Sequence, residues 1–221
     1  MKRAALMLAV AALSLGAAPA YAAKKQLFIV VKGLDNPFFE AIHQGCLKWN
    51  SENMDSEYEC FYTGPASTSD EAGEAQILQD ILSKPDTAAV AVSPSNAPLI
   101  ANTIRSAAPT IPIMTIDADL AAADSDLRMT YLGTDNYLMG KRIGEYIKAA
   151  KPDGGTICTI EGNAAADNIL RRAQGMRDAL TGQEGLTALA GEGGWTEVAG
   201  CPVFTNDDGV KGVQAMSDIL A

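Results

Sequence analysis

Short, wholly apolar runs recur along this chain, each bounded by turn residues and each followed by a longer amphipathic segment. Residues 27–31 (Leu-Phe-Ile-Val-Val) and 88–92 (Ala-Val-Ala-Val with a leading Ala) are too short for typical helices. Between them, Glu71–Leu82 places Ala72, Ala75, Leu78, Ile81 and Leu82 near helical spacing. A strand that is apolar on both sides belongs in a parallel sheet with helices on each face. Few architectures other than α/β satisfy that pattern.

The alternation continues to the end of the chain. Strands are expected at 27–31, 59–62, 88–92, 111–116, 129–132 and 156–160, with a weaker one at 187–190. Helices are expected at 37–53, 71–82, 97–107, 137–149, 169–180 and 210–220. The small-residue connection at 121–125 separates two sheets in this reading. The domains are then a first lobe over 24–135 and a second over 136–221, with the 129–132 strand near the crossing. Polar residues gather where strands end, among them Asp35-Asn36, Ser93-Pro94-Ser95-Asn96, Asp117, Asp135-Asn136 and Glu161-Gly162-Asn163. Some are helix caps, and Asp135-Asn136 and Asp167-Asn168 are the natural candidates. A cleft between two α/β lobes is a favoured place for a small ligand.

Asp35-Asn36-Pro37-Phe38-Phe39 follows the first strand directly. Pro is favoured at the first helical position and Asn caps well. The motif admits two readings: a capped helix with two core aromatics, or a ligand contact at the carboxyl end of a strand.

The amino terminus carries Lys2 and Arg3, an apolar run from Ala4 to Leu15, and Ala20-Tyr21-Ala22 as a cleavage site. These are the features of a secretory signal peptide over 1–22, so export to the periplasm is expected. Loss of Lys2 and Arg3 would make the chain more acidic than its formal −10. That balance argues against a nucleic-acid partner. Four cysteines in an exported chain favour disulfides, with three possible connectivities. Cys46–Cys60 with Cys158–Cys201 is preferred, because each pair lies within one half of the chain; buried free thiols are the alternative.

Catalytic signatures are missing. A single histidine, His43, supports neither a hydrolase triad nor a metal site, and the cysteine spacings match no zinc pattern. Gly191-Glu192-Gly193-Gly194-Trp195 lacks phosphate-loop and dinucleotide spacing and reads as a flexible turn. Asp207-Asp208 reads as the start of the last helix. No enzyme, cofactor or metal is expected. The residues that converge suit a polyhydroxylated ligand, whose C–H faces pack on rings and whose hydroxyls pair with amides, carboxylates and guanidinium. They are Asn36, Phe38, Phe39, Asp117 and Arg172.

Four landmarks occur in order: Asn36-Pro37-Phe38-Phe39, Ile111-Pro112-Ile113-Met114-Thr115-Ile116-Asp117, Gly133-Thr134-Asp135-Asn136 with Gly140, and Arg171-Arg172-Ala173-Gln174-Gly175-Met176. In these the chain resembles the type I periplasmic sugar-binding proteins of ABC transporters, the ribose-binding-like group. The resemblance implies an α/β fold of two Rossmann-like lobes with parallel sheets, hinged and closing on a sugar. It implies that Asn36 binds a hydroxyl, that Phe38 and Phe39 pack on the sugar, and that Asp117 and Arg172 are ligands, leaving Arg171 as a surface charge. The partners it implies are a monosaccharide or related polyol and an inner-membrane ABC permease, with the protein itself a monomer. A sensory module, binding a sugar or autoinducer-2 and signalling to a membrane kinase, is the alternative.

The departures from the family pattern carry expectations too. Ala118 follows Asp117 where ribose binders commonly have Arg, so one hydroxyl partner is lost. Lys32 occupies a place that is often small and polar, which accommodates a different ligand head. Residues 193–202, with Trp195 and Cys201, read as an insertion near the cleft, with Trp195 either a core residue or a stacking ring. The resemblance also implies a longer chain, so the second lobe is expected to be incomplete and the sequence a fragment, with an unpaired sheet edge and partly exposed core.

Overall fold

The computed structural model describes residues 23–221, so the leader assigned to 1–22 lies outside the described residues. Strands β1 (Lys25–Val30), β2 (Tyr58–Thr63), β3 (Thr87–Val92), β4 (Ile113–Ile116) and β5 (Thr130–Leu132) form one parallel sheet in the order β2-β1-β3-β4-β5. The order reverses beside β1, so the carboxyl ends of β1 and β3 border a crevice at the topological switch point.

Alternation along β1 and β3 divides the sheet into two faces. Phe28, Val30, Val90 and Val92 pack against Leu78 and Ile81 of α2 (Glu71–Leu82) and against Ile100 and Ile104 of α3 (Ala97–Ala107). The opposite face carries α1 (Glu40–Glu52), tied to β2 by the Cys46–Cys60 disulfide. Beside α1 an apolar groove of about 560 Å³ runs past Leu27, Ile29, Trp49, Ala91 and Met114.

Local chemistry sets the helix starts. Asp70 caps α2 by accepting from Gly73 N, and Asn96 caps α3 by accepting from Leu99 N. Asp135 caps α4 (Asn136–Ala150), and Asp208 caps α6 (Gly209–Leu220). Asp167 and Asn168 do not act as the expected cap. Ala166 holds that position with no side-chain bond, and both polar residues lie inside α5 (Asp167–Thr181).

In the second lobe α4 and α5 cross so closely that side chains are excluded. A Cβ on Gly140 would meet the Arg172 carbonyl, and one on Gly175 would meet the Tyr137 carbonyl. The short strands β6 (Gly155–Ile157), β7 (Ile160–Glu161), β8 (Trp195–Glu197) and β9 (Val203–Phe204) form two separate parallel pairs, β6–β8 and β7–β9.

Several local expectations are corrected. The strand expected at 156–160 is two strands, because its halves pair with different partners, and the Cys158–Cys201 disulfide sits at the break. The 187–190 strand is reduced to a single bridge between Ala190 and Thr196. Residues 193–202 are more than a loop. They supply β8 and place Trp195, 2% exposed, against Met176, Leu180 and Leu189 as the centre of the second core. The glycines before it form a short 3-10 turn. Another such turn covers Ala122–Leu127, overlapping the expected small-residue connection at 121–125. Exposed apolar side chains in the second lobe include Val210, Val213 and Leu220 along α6.

Candidate functional site

Three strand ends and one helix build a cleft between the lobes. β1 leads through Val31 to Lys32, β3 leads into Ser93 and Ser95, β4 runs into Asp117, and α5 contributes Asn168 and Arg172. The cavity is about 280 Å³. Asn36, Phe38, Phe39, Asp117 and Arg172 all line it, joined by Lys32, Ser95, Asn163, Asn168 and Asp207.

The Asn36-Pro37-Phe38-Phe39 motif caps a turn and also lines the cavity. Asn36 Oδ1 accepts from Phe38 N at 3.0 Å, capping a 3-10 turn at Pro37–Phe39 that precedes α1. The expected continuous helix from residue 37 is therefore divided. The cap uses the amide oxygen and leaves the Asn36 Nδ2 donors to the cleft. The two rings pack edge to face, with centroids 5.2 Å apart. Phe39 is 1% exposed and anchors the turn in the first lobe, whereas Phe38 is 60% exposed at the mouth. Asp35 is not among the residues lining the cavity; it accepts from Thr68 N and Oγ1 at 2.9 and 2.7 Å, bonds that lower its pKa.

Asp117 holds a left-handed backbone, φ 60°, which Asp tolerates better than branched residues. Its Oδ2 accepts from Ser93 Oγ at 2.9 Å and lies 3.0 Å from Lys32 Nζ. Lys32 is 6% exposed and also reaches Asn168 Oδ1 at 3.5 Å. The departure at Lys32 is thus part of the cleft, and it neutralises Asp117 there.

A polar chain links Asp117 to Arg172. The Tyr131 hydroxyl lies 2.8 Å from the Asp117 carbonyl oxygen and 3.0 Å from that of Thr134. It accepts from Asn136 Nδ2 at 3.2 Å, and Asn136 Oδ1 accepts from Arg172 Nε at 2.8 Å. Burial, then the Asp117 charge, raises the Tyr131 pKa, so the phenol stays protonated as a donor. Arg171 points elsewhere, 4.0 Å from Asp167 and half exposed.

Sequence reasoning did not find the contacts that join the lobes. Glu71 Oε2 accepts from Asn96 Nδ2 at 2.6 Å, and its other oxygen accepts from Asn163 Nδ2 across the cleft. Ala97 N donates to Ala165 O at 3.1 Å. Behind Ser95 lies Glu74, fully buried, whose Oε2 accepts from Ser95 N at 2.9 Å and from Ser95 Oγ. Its Oε1 has no partner among the described residues. Burial pushes the Glu74 carboxyl up to about 7, against the pull of the Ser95 bonds and the Lys32 charge and with a small push from Glu71. Asp119 sits below Asp117. Burial opposes its charge, but Arg128, which grips both oxygens, together with Thr115 and Leu120 N, holds the carboxyl below its usual range. No local signal marks Glu71, Glu74 or Asn163 as partners, because the Glu71–Asn96, Glu71–Asn163 and Glu74–Ser95 bonds join residues more than twenty positions apart.

His43 stacks on Tyr62 at 4.5 Å, outside the cleft. No group of three or more His, Cys, Asp or Glu residues among the described residues is placed to hold a metal ion.

The family model for the periplasmic binding protein domain matches residues 27–221. The chain belongs to that family. This periplasmic binding protein is 24% identical to the ribose import binding protein RbsB of Escherichia coli strain K12, across 100% of this chain and 68% of that protein. It is similar in fold to an ABC transporter solute binding protein from Agrobacterium vitis with bound D-fucose, with a TM-score of 0.74 at 17% identity, covering 88% of this chain and 63% of that one. A solute binding protein from Burkholderia graminis in complex with D-arabinose gives a TM-score of 0.71 at 22% identity, covering 90% and 63%. The chain therefore spans about two thirds of the length of these relatives, and the expected type I fold is the one they share. These relatives are named for binding and transport, not for catalysis.

Proposed function

We propose that this periplasmic binding protein captures a monosaccharide or related polyol in the interlobe cleft, in the periplasm, for delivery to an ABC permease. The observation that carries the reading is the convergence of Asn36 and Phe38, Asp117, and Arg172 on one cavity from three separate segments. Phe38 offers an apolar ring to a C–H face, Asn36 and Arg172 offer donors, and Asp117 offers an acceptor. Phe39 supports the Phe38 ring from within the lobe. A ligand touching both lobes favours closure because it gains its full contacts only in the closed state. The import and transporter names of the relatives support delivery over signalling.

The test is a thermal-shift and calorimetric titration of the full chain with neutral pentoses, hexoses and polyols. Saturable binding with a raised melting temperature is expected for at least one. No response to any of them at millimolar concentration, together with none to their acidic counterparts, overturns the proposal.

A further inference from the structure

The polar groups that face the cleft are unbalanced, and the imbalance says what the ligand must bring. Asn36 Oδ1 is taken by Phe38 N, which leaves only its amide donors. Asn168 Oδ1 is taken by Ile169 N and Lys32, which again leaves donors. Lys32 has three N–H groups and two partners. Arg172 uses Nε on Asn136, and its two terminal nitrogens bond to no other described residue. Nor does any described carboxylate lie within salt-bridge distance of Arg172, while Lys32 is paired with Asp117.

The nearby acids are committed or peripheral. Glu71 is held by Asn96 and Asn163, Glu74 by Ser95 through one oxygen, and Glu161, which shares a neighbouring pocket with Arg172, accepts from Thr159 and lies beyond salt-bridge distance of the guanidinium. Asp207 is exposed at the rim. The enclosed part of the cleft thus offers many donors, one free Asp117 oxygen, and one guanidinium without a counter-charge. A neutral sugar brings hydroxyls that each donate as well as accept. A carboxylate only accepts, and its two oxygens match the terminal fork of a guanidinium.

Resting on the proposed sugar-binding role, we infer that the preferred ligand is an acidic monosaccharide, an aldonate or uronate, whose carboxylate lies on the terminal nitrogens of Arg172. Lys32 and Asp117 then act as a neutral pair that holds a hydroxyl, with Phe38 across the sugar face.

Matched pairs of neutral sugar and sugar acid, with a sugar phosphate as a third arm, are titrated calorimetrically into the full chain. The acid is expected to bind about tenfold or more tightly than its neutral partner, the gain typical of a charge-assisted over a neutral contact. Arg172→Gln is expected to bring that ratio close to one, Arg172→Lys to leave an intermediate preference, and Arg171→Gln to leave it intact. A neutral sugar that binds as tightly as its acid overturns this inference while leaving the sugar-binding role standing. A phosphate preferred over the carboxylate also overturns it. No binding in any arm removes both. If Arg172→Gln does not fold, the Arg172→Lys ratio decides, and an unchanged ratio there counts against the inference.

Discussion

Lys32 Nζ and Asp117 Oδ2 lie 3.0 Å apart, joining the ends of β1 and β4 inside the cleft. Both side chains are largely buried, so each charge depends on the other for solvation. Lys32→Met is expected to lower stability by about 3 kcal/mol, the usual cost of leaving one member of a buried pair alone. Adding Asp117→Asn, which keeps a residue tolerant of the left-handed backbone, is expected to recover much of that loss. Urea denaturation of the two single variants and the double variant measures the coupling.

Glu74 makes stability depend on pH. Its carboxyl is raised from 4.5 to about 7 in the folded chain, mainly by burial, so between those values the folded state binds more protons than the unfolded one. Stability is therefore full at and below the unfolded value, falls as pH rises through the folded value, and levels off above it. The loss is roughly 3 kcal/mol by linkage. Glu74→Gln removes the titration, so its urea midpoint is expected to change much less between about pH 5 and about pH 8. An equal pH response in Glu74→Gln would refute this assignment.

The two phenylalanines separate core from site. Phe39→Ala is expected to cost about 3–5 kcal/mol of stability, as for other buried aromatics. Phe38→Ala, at an exposed ring, is expected to change stability by about 0.5 kcal/mol or less. Its effect is instead a weaker affinity for sugar. Denaturation midpoints and calorimetric titration on both variants distinguish the roles.

The α4–α5 crossing positions Arg172. Gly175→Ala would drive a methyl into the Tyr137 carbonyl, and Gly140→Ala one into the Arg172 carbonyl itself. Each is expected to destabilise by about 1–3 kcal/mol or more through overpacking, and to weaken ligand binding by shifting the guanidinium. Gly45→Ala on α1, where a Cβ meets nothing within 4 Å, serves as the control. It is expected to be neutral or stabilising by up to about 1 kcal/mol. Melting temperatures and titrations of the three variants test the contrast.

The first lobe was legible in the sequence because its signals are local. The apolar runs at β1 and β3 and the helical spacing of Ala75, Leu78 and Ile81 act within a few residues. The second lobe was harder. β6 and β7 are three and two residues long, and β8 opens with a Trp after a glycine run, so no periodicity marks them. Their pairing depends on partners some forty residues away, as does the Cys158–Cys201 link.

Hydrophobic patterning and turn chemistry were enough to place an α/β chain with a parallel sheet, and the ordered motifs from Asn36 to Arg172 located the residues that meet in the cleft. Three-dimensional placement was needed to learn how those residues are used. It showed that Lys32 neutralises Asp117, that Phe39 is a support while Phe38 is exposed, and that Glu71 ties Asn96 to Asn163 across the lobes. It also showed that Arg172 keeps its terminal nitrogens clear of any described acid. Helix caps and periodicity arise from neighbours along the chain, which a sequence displays. Charge pairing, burial and the donor balance of a cavity arise from groups brought together through space, and no spacing rule records them.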